Sequence, residues 1–127
     1  MYVVFPESTR SCAGRTRMDA KIPEVVQRYQ QAHDRHDVDE ALSAFAAGAI
    51  VRDEDQEWTG TAAIRKWLIK TSTEYTFTRT LLDAEEGASG TWVIRNRLEG
   101  NFPGGVVDLR YRFELAGDEI TGLTIAP

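Results

Sequence analysis

The spacing of apolar residues changes once along the 127-residue chain, and this change constrains the fold more than any other feature. Between Pro23 and Leu68 apolar residues recur mostly every three or four positions, as on one face of an α-helix. Between Tyr75 and Ile125 they recur every second position, as in strands with one buried face. Helices followed by a run of strands predict an α+β fold, with three N-terminal helices packed on the concave face of one curved antiparallel sheet.

The first two helices are predicted as a tight hairpin. Helix one begins at Pro23, because proline is favoured at the first helical position, and continues through Arg35. Helix two begins at Asp37, which forms a capping-box-like pair with Glu40, and is expected to end at Gly48 with Phe45 on its buried face.

A short strand, Ala49 to Asp53, precedes the third helix, which begins at Thr61 and buries Ile64, Trp67 and Leu68. Glycine-rich turns, EEGASG and FPGG, divide the second half of the chain into strands. Four strands are predicted there, near residues 75–84, 91–101, 107–115 and 120–125.

Length and charge limit the classes of function. The length fits one domain, predicted over residues 18–127, while residues 1–17 are expected to form a separate N-terminal segment and Met18 is a candidate start. Twenty acidic against fifteen basic residues argue against nucleic acid or an anionic membrane as the partner. No apolar run approaches the ~20 residues of a membrane span and no signal layout is visible, so we expect a cytoplasmic protein.

The stretch VRDEDQEW contains four acidic residues, of which we assign Glu54, Asp55 and Glu57 to a solvated turn. A calcium loop is excluded, because glycine would be needed where Trp58 stands and a carboxylate where Ile64 stands. Asp53 alternates with Val51, so its carboxylate is predicted to face the interior. There it is either a general base, a strand-end cap or a carboxylate that pairs with a helix.

Three further polar residues lie on apolar faces. Tyr29 is either a core tyrosine or a hydrogen-bond donor to a ligand, and His33 either contacts the ligand or is a satisfied core histidine. His33 and His36 have a possible metal spacing, but no second ligand cluster converges with them, so no metal is predicted. Asn96 requires hydrogen-bond partners, which either a ligand or backbone, Tyr29 or water can supply.

The run from Glu24 to Trp67 resembles the first half of ketosteroid isomerases and SnoaL-like proteins, which share the cone-shaped fold of nuclear transport factor 2. The matching points are VVQRY on the first helix, the helix entered at Asp37, the strand ending at Asp53, and GTAAIR at the start of the third helix. The alternating strands and the LAGDEITGL segment match more loosely, so the resemblance covers Pro23 to Ile125.

This resemblance implies that Asp53 moves a proton beside a substrate carbonyl while Tyr29 donates a hydrogen bond to the developing enolate. The isomerases also use a protonated aspartic acid in an apolar setting, and its position falls here at Leu109. The implied function is an isomerase or cyclase acting on a small apolar carbonyl compound without a cofactor. The alternative is a non-catalytic ligand-binding or dimerisation module of the same fold.

The cone-shaped fold also implies an apolar cavity at its wide end and, as in relatives, a homodimer formed through the outer sheet face. Asn96 and His33 would orient the substrate. The residues expected to line the cavity are Phe45, Trp58, Trp67, Trp92, Leu109 and Tyr111. The outer face carries Arg95, Arg97, Arg110 and Arg112 among acidic residues, and this pattern also fits a solvated charge ladder.

Overall fold

A computed structural model describes residues 22–88 and 90–127, so the predicted N-terminal segment and Met18 lie outside the described residues. The helices of this part of the chain are α1 (Glu24–Asp34), α2 (Val38–Leu42) and α3 (Thr61–Glu74). Its strands are β1 (Phe45–Asp53), β2 (Gln56–Thr59), β3 (Phe77–Glu86), β4 (Thr91–Gly100), β5 (Val106–Ala116) and β6 (Glu119–Ala126).

The six strands form one curved, unclosed sheet in the order β2-β1-β6-β5-β4-β3. Helices α1 and α3 pack against it, with Val26, Ile64 and Trp67 in the same buried cluster as Val51 and Phe113. The predicted α+β architecture is therefore confirmed. One detail differs, because β1 pairs with β6 in parallel while the other neighbouring strands are antiparallel.

Helix α1 begins and ends within one residue of the positions predicted from the sequence, and α3 begins at Thr61 as predicted. Helix α3 buries Ile64, Trp67 and Leu68, as its spacing indicates. Asp37 caps α2, because its side chain accepts a hydrogen bond of 3.1 Å from the backbone N–H of Glu40.

The predicted extension of α2 to Gly48 is wrong. This helix ends at Leu42, and Phe45 begins strand β1. Alanines at positions 44, 46 and 47 favour a helix locally, but the segment gains a sheet partner. The backbone N–H of Ile120 bonds to the Ala44 carbonyl at 2.9 Å, and Phe45 is in register with Ile120 on β6. Tertiary pairing thus overrides local propensity.

The acidic stretch after β1 forms a two-residue hairpin. Asp53 pairs with Gln56, and the two residues between them, Glu54 and Asp55, have positive φ angles of 53° and 63°. These angles fit a type I′ turn, whose twist matches the flanking strands. Glu57 was assigned to the turn, but it lies on β2 and forms an ion pair of 3.0 Å with Arg52.

Strands β4 and β5 alternate as predicted, with Ile94, Asn96 and Phe113 buried on the inner face. Charged side chains occupy the outer face, where Arg97 donates to Asp108 at 2.7 Å. None of the helices in the described part of the chain has the length and apolarity needed to cross a membrane.

Candidate functional site

Asp53 is the last residue of β1, and its carboxylate is half-buried under α3. Trp67 donates its indole N–H to Asp53 Oδ2 at 3.0 Å, which fixes the orientation of the carboxylate. Burial raises the pKa of Asp53, and the Trp67 hydrogen bond opposes this effect only in part. The result is a carboxylate with increased affinity for a proton.

Tyr29 projects from α1 and is buried against two aromatic rings. The edge-to-face contacts have centroid distances of 5.4 Å to Phe45 and 5.8 Å to Phe113. Burial raises the pKa of Tyr29 well above its ordinary value, and Tyr111 and Asp53 nearby raise it further. The phenol therefore keeps its proton at neutral pH and can donate a hydrogen bond.

A cavity of about 560 Å³ lies between the helices and the inner sheet face, and both Tyr29 and Asp53 line it. This volume is within the range of small-molecule sites. Its wall is largely apolar and includes Phe77, Phe102 and Ile125. A carboxylate with a raised pKa and a protonated phenol thus share one largely apolar cavity.

Six of the residues predicted from the sequence line this cavity: Tyr29, His33, Asp53, Trp67, Leu109 and Tyr111. They come from α1, β1, α3 and β5, so the fold brings together segments that are distant in the sequence. Leu109 presents an aliphatic side chain where the resemblance would place an acid.

The other four predicted residues lie outside the cavity wall: Phe45, Trp58, Trp92 and Asn96. Phe45 and Trp92 belong to the buried core, and Trp58 packs against it from the edge strand β2. Asn96 is fully buried on β4, directly opposite Leu109. Asn96 therefore lies next to a residue that lines the cavity.

His33 lies on α1, one turn after Tyr29, and its side chain contacts α3. Its Nε2 is 2.9 Å from Thr71 Oγ1, and its ring stacks on Phe77 with 6.2 Å between centroids. Burial lowers the pKa of His33 to about 4, although Asp34 opposes the shift. At neutral pH the imidazole is uncharged.

A polar network around Arg79 was missed by the sequence analysis. Arg79 binds Asp34 through two hydrogen bonds, of 2.6 and 3.1 Å, and also donates to Gln30 Oε1 at 3.1 Å. Arg79, Asp34 and Gln30 all line the cavity. The sequence feature that could have indicated this network is the position of Arg79 between Phe77 and Leu81. Side chains alternate between the two faces of a strand, so this arginine lies on the same inward face as its two apolar neighbours.

Within residues 22–88 and 90–127, no group of three or more His, Cys, Asp or Glu side chains is arranged to hold a metal ion. The polar groups of the cavity wall are those suited to hydrogen bonding and proton transfer.

Solved structures of similar fold were found by comparison. A candidate polyketide cyclase from Sinorhizobium meliloti is 28% identical, with 83% of this chain and 95% of that chain covered and a TM-score of 0.77. A protein from Catenulispora acidiphila with a ketosteroid isomerase-like fold, solved with trimethylamine, is 21% identical over 83% of this chain and 85% of that one, with a TM-score of 0.73. The chain has the nuclear transport factor 2-like fold.

A further structure of similar fold is that of SalBIII, an epoxide hydrolase/cyclase-like enzyme in pyran ring formation of the polyether salinomycin. It is 19% identical over 80% of this chain and 86% of SalBIII, with a TM-score of 0.69. No protein-family model matches the sequence, and no curated protein matches it. The resemblance to the ketosteroid isomerase-like and SnoaL-like group is thus confirmed by three-dimensional similarity.

Proposed function

We propose that this nuclear transport factor 2-like protein is an isomerase or cyclase that moves a proton next to the carbonyl of a small apolar compound. Asp53 is the base, and Tyr29 donates a hydrogen bond to the enolate oxygen. The observation that carries the proposal is that both residues line one cavity of about 560 Å³, where burial raises the pKa of the Asp53 carboxyl.

The reaction requires three events in the cavity. Asp53 takes a proton from the carbon beside the carbonyl, the electron pair moves to the carbonyl oxygen, and the Tyr29 hydroxyl stabilises the resulting enolate. In an isomerase Asp53 returns the proton to another carbon. In a cyclase the enolate carbon attacks a second carbonyl carbon of the substrate, the C=O π bond breaks, and its oxygen takes up the proton from Asp53. Proton transfer needs no external oxidant or reductant, so the proposed enzyme works without a cofactor.

The side chains around the reacting pair support this chemistry. Trp67 holds Asp53 in place with its 3.0 Å hydrogen bond, which limits the movement of the base. A ligand that fills the largely apolar cavity displaces water, so hydrogen bonds to developing charge are stronger than in solution. We propose that Leu109, Tyr111 and Trp67 contact the ligand and that His33 orients it as a neutral imidazole.

The substrate class follows from the wall of the cavity. Aromatic and aliphatic residues favour a steroid-, polyketide- or terpenoid-like body, and one carbonyl must reach Asp53 and Tyr29. The similarity to a candidate polyketide cyclase and to SalBIII supports cyclisation or isomerisation at the level of the fold. A cytoplasmic location remains a prediction from composition.

The first test is hydrogen–deuterium exchange beside the carbonyl, followed by proton NMR in D2O with a panel of steroid and bicyclic ketones. Asp53→Asn is expected to lower the exchange rate at least a hundredfold, and Tyr29→Phe about a hundredfold. Asp55→Asn, an exposed acid two residues away, is the matched control and should keep the full rate. Unchanged exchange in Asp53→Asn would contradict the assignment of the base.

A second candidate function is ligand binding without catalysis, and Leu109 favours it. Where related isomerases place a second acid, this cavity has an aliphatic side chain, so the enolate has one oxyanion donor fewer. This function predicts that a ketone binds but exchanges no faster than in buffer. The same NMR samples report binding and exchange separately.

A further inference from the structure

Polar side chains from α1, β3 and β4 meet around one guanidinium. Arg79 donates to Asp34, to Gln30 Oε1 at 3.1 Å and, at a longer 3.5 Å, to Asn96 Oδ1. Because guanidinium has donors and no acceptor, Gln30 and Asn96 must both turn their amide oxygens toward Arg79. Their amide nitrogens consequently point away from it.

These two amide nitrogens are buried and lack acceptors. Gln30 is 6% exposed and Asn96 is 0% exposed, and neither Gln30 Nε2 nor Asn96 Nδ2 has a hydrogen-bond partner among the described residues. A buried N–H without an acceptor is costly and rare in folded proteins. The network therefore requires a hydrogen-bond acceptor from outside the described chain.

The cavity borders this network, since Gln30 and Arg79 both line it. We propose that the Gln30 amide nitrogen binds an oxygen of the ligand, so that the cavity recognises a neutral carbonyl or hydroxyl oxygen as well as an apolar body. This inference rests on the proposed function only in placing a small ligand in the cavity. It does not depend on proton transfer by Asp53.

The charges around the cavity favour a neutral oxygen over a charged one. Asp34 neutralises Arg79, while Asp53, Glu54 and Glu74 also line the cavity and repel a carboxylate or phosphate. A cationic group, by contrast, has no lone pair to offer the amide nitrogen. A carbonyl or hydroxyl oxygen accepts from Gln30 without either conflict.

The probes for the test are 1-indanone and indane, two bicyclic compounds that differ in one carbonyl. Side-chain amide NMR signals of 15N-labelled protein are followed during titration, and the Gln30 signal is assigned by its loss in Gln30→Glu. We expect 1-indanone to shift the Gln30 amide signal downfield in proton frequency, and indane to shift it much less.

Dissociation constants of both compounds are measured on the same samples. The dissociation constant of indane divided by that of 1-indanone gives the preference of the cavity for the carbonyl. We expect this ratio to fall about fivefold in Gln30→Met, the effect of one neutral hydrogen bond. Gln30→Glu keeps the acceptor for Arg79, removes the N–H donors, and should lower the ratio at least as much. Gln31→Met, an exposed glutamine on the same helix, is the matched control and should leave the ratio unchanged.

Three results would overturn the inference. One is an equal ratio of the indane to the 1-indanone dissociation constant in the wild type and both Gln30 variants. This result counts against the inference even if the Gln30 signal shows that a water molecule is bound there. Another is an equal shift of the Gln30 signal by both compounds, and the third is no binding of 1-indanone at 1 mM. Failure of the proposed function is seen separately, as absence of deuterium exchange in the wild type with binding intact.

Discussion

The fold keeps His33 uncharged, and this lowers the free energy of unfolding at acidic pH. Its pKa is about 4 in the folded chain against an ordinary value of 6.5. Between these two values the unfolded chain binds more protons, so the free energy of unfolding falls as pH decreases from 6.5 to 4. The full loss is about 3 kcal/mol. The raised pKa of Asp53 acts in the opposite direction.

Urea unfolding measured from pH 7 to pH 4 checks this prediction. His33→Gln should show a flatter pH dependence than the wild type, because glutamine does not titrate. His36→Asn is the matched control, since it removes an exposed histidine at a positive φ that asparagine tolerates. If His33→Gln and wild type lose stability in parallel, the buried imidazole is not the cause.

At the same scale, the sequence predicted the positions of Tyr29 and Asp53 on inward faces better than it predicted their surroundings. Alternation along the strand determines the face on which Asp53 lies, and helical spacing determines the face on which Tyr29 lies. Together with the resemblance to ketosteroid isomerases, these two patterns predict that both side chains reach the same cavity. The contacts of Gln30 with Arg79 depend on how α1 lies against β3. That placement is set by packing of the whole domain, and no local pattern encodes it.

At the scale of single elements, the β1–β2 hairpin contains avoidable strain. Asp55 has a φ of 63°, a conformation that costs a residue with a Cβ more than it costs glycine. Asp55→Gly should therefore increase the free energy of unfolding by about 0.5–1 kcal/mol, because glycine is preferred at this position of a type I′ turn. Thermal or urea unfolding measures the change.

The opposite substitution in another hairpin is the control. Gly117, between β5 and β6, has a φ of 61°. An added Cβ would meet open space there, so the backbone conformation alone determines the cost of a side chain. Gly117→Ala should decrease stability by about 1 kcal/mol. A stabilising Gly117→Ala, or a destabilising Asp55→Gly, would show that turn conformation does not determine these effects.

The element that the sequence misassigned is also the one with conflicting signals. The segment AFAAGA is rich in a helix-forming residue, and a helix pattern in α2 leads directly into it. Its sheet partner, β6, lies far along the chain, so the pairing cannot be read from the segment itself. Helices α1 and α3 and strands β4 and β5 were predicted because local propensity and burial agree there.

For the whole molecule, we propose a homodimer formed through the outer sheet face. On this face Arg95 and Arg110 lie directly opposite each other, a repulsive arrangement that is only partly relieved by the 3.3 Å ion pair of Arg95 with Asp83. In a two-fold interface, acidic residues of a second copy such as Glu99 or Glu114 can neutralise them. Light scattering after size-exclusion chromatography should give twice the 14.3 kDa chain mass.

The substitution Arg110→Glu distinguishes repulsion within one chain from contact between two copies of the chain. It should remove the repulsion within one chain while weakening the dimer, so the mass is expected to fall toward that of a monomer without loss of folded structure. Arg65→Glu, an exposed arginine on α3, is the control and should remain dimeric. A wild type that is monomeric at 100 µM would contradict the proposed homodimer.

The parallel pairing of β1 with β6 has a consequence for synthesis on the ribosome. Strand β1 leaves the exit tunnel with the helices and its hairpin partner β2, but its second neighbour in the sheet, β6, is made only after β3, β4 and β5. Until then the edge of β1 that will receive β6 carries unpaired backbone groups, and Val51 lacks its neighbour Leu123. The early half of the nascent chain therefore exposes an unpaired strand edge until β6 is made, and pairing between strands so far apart in the sequence slows folding.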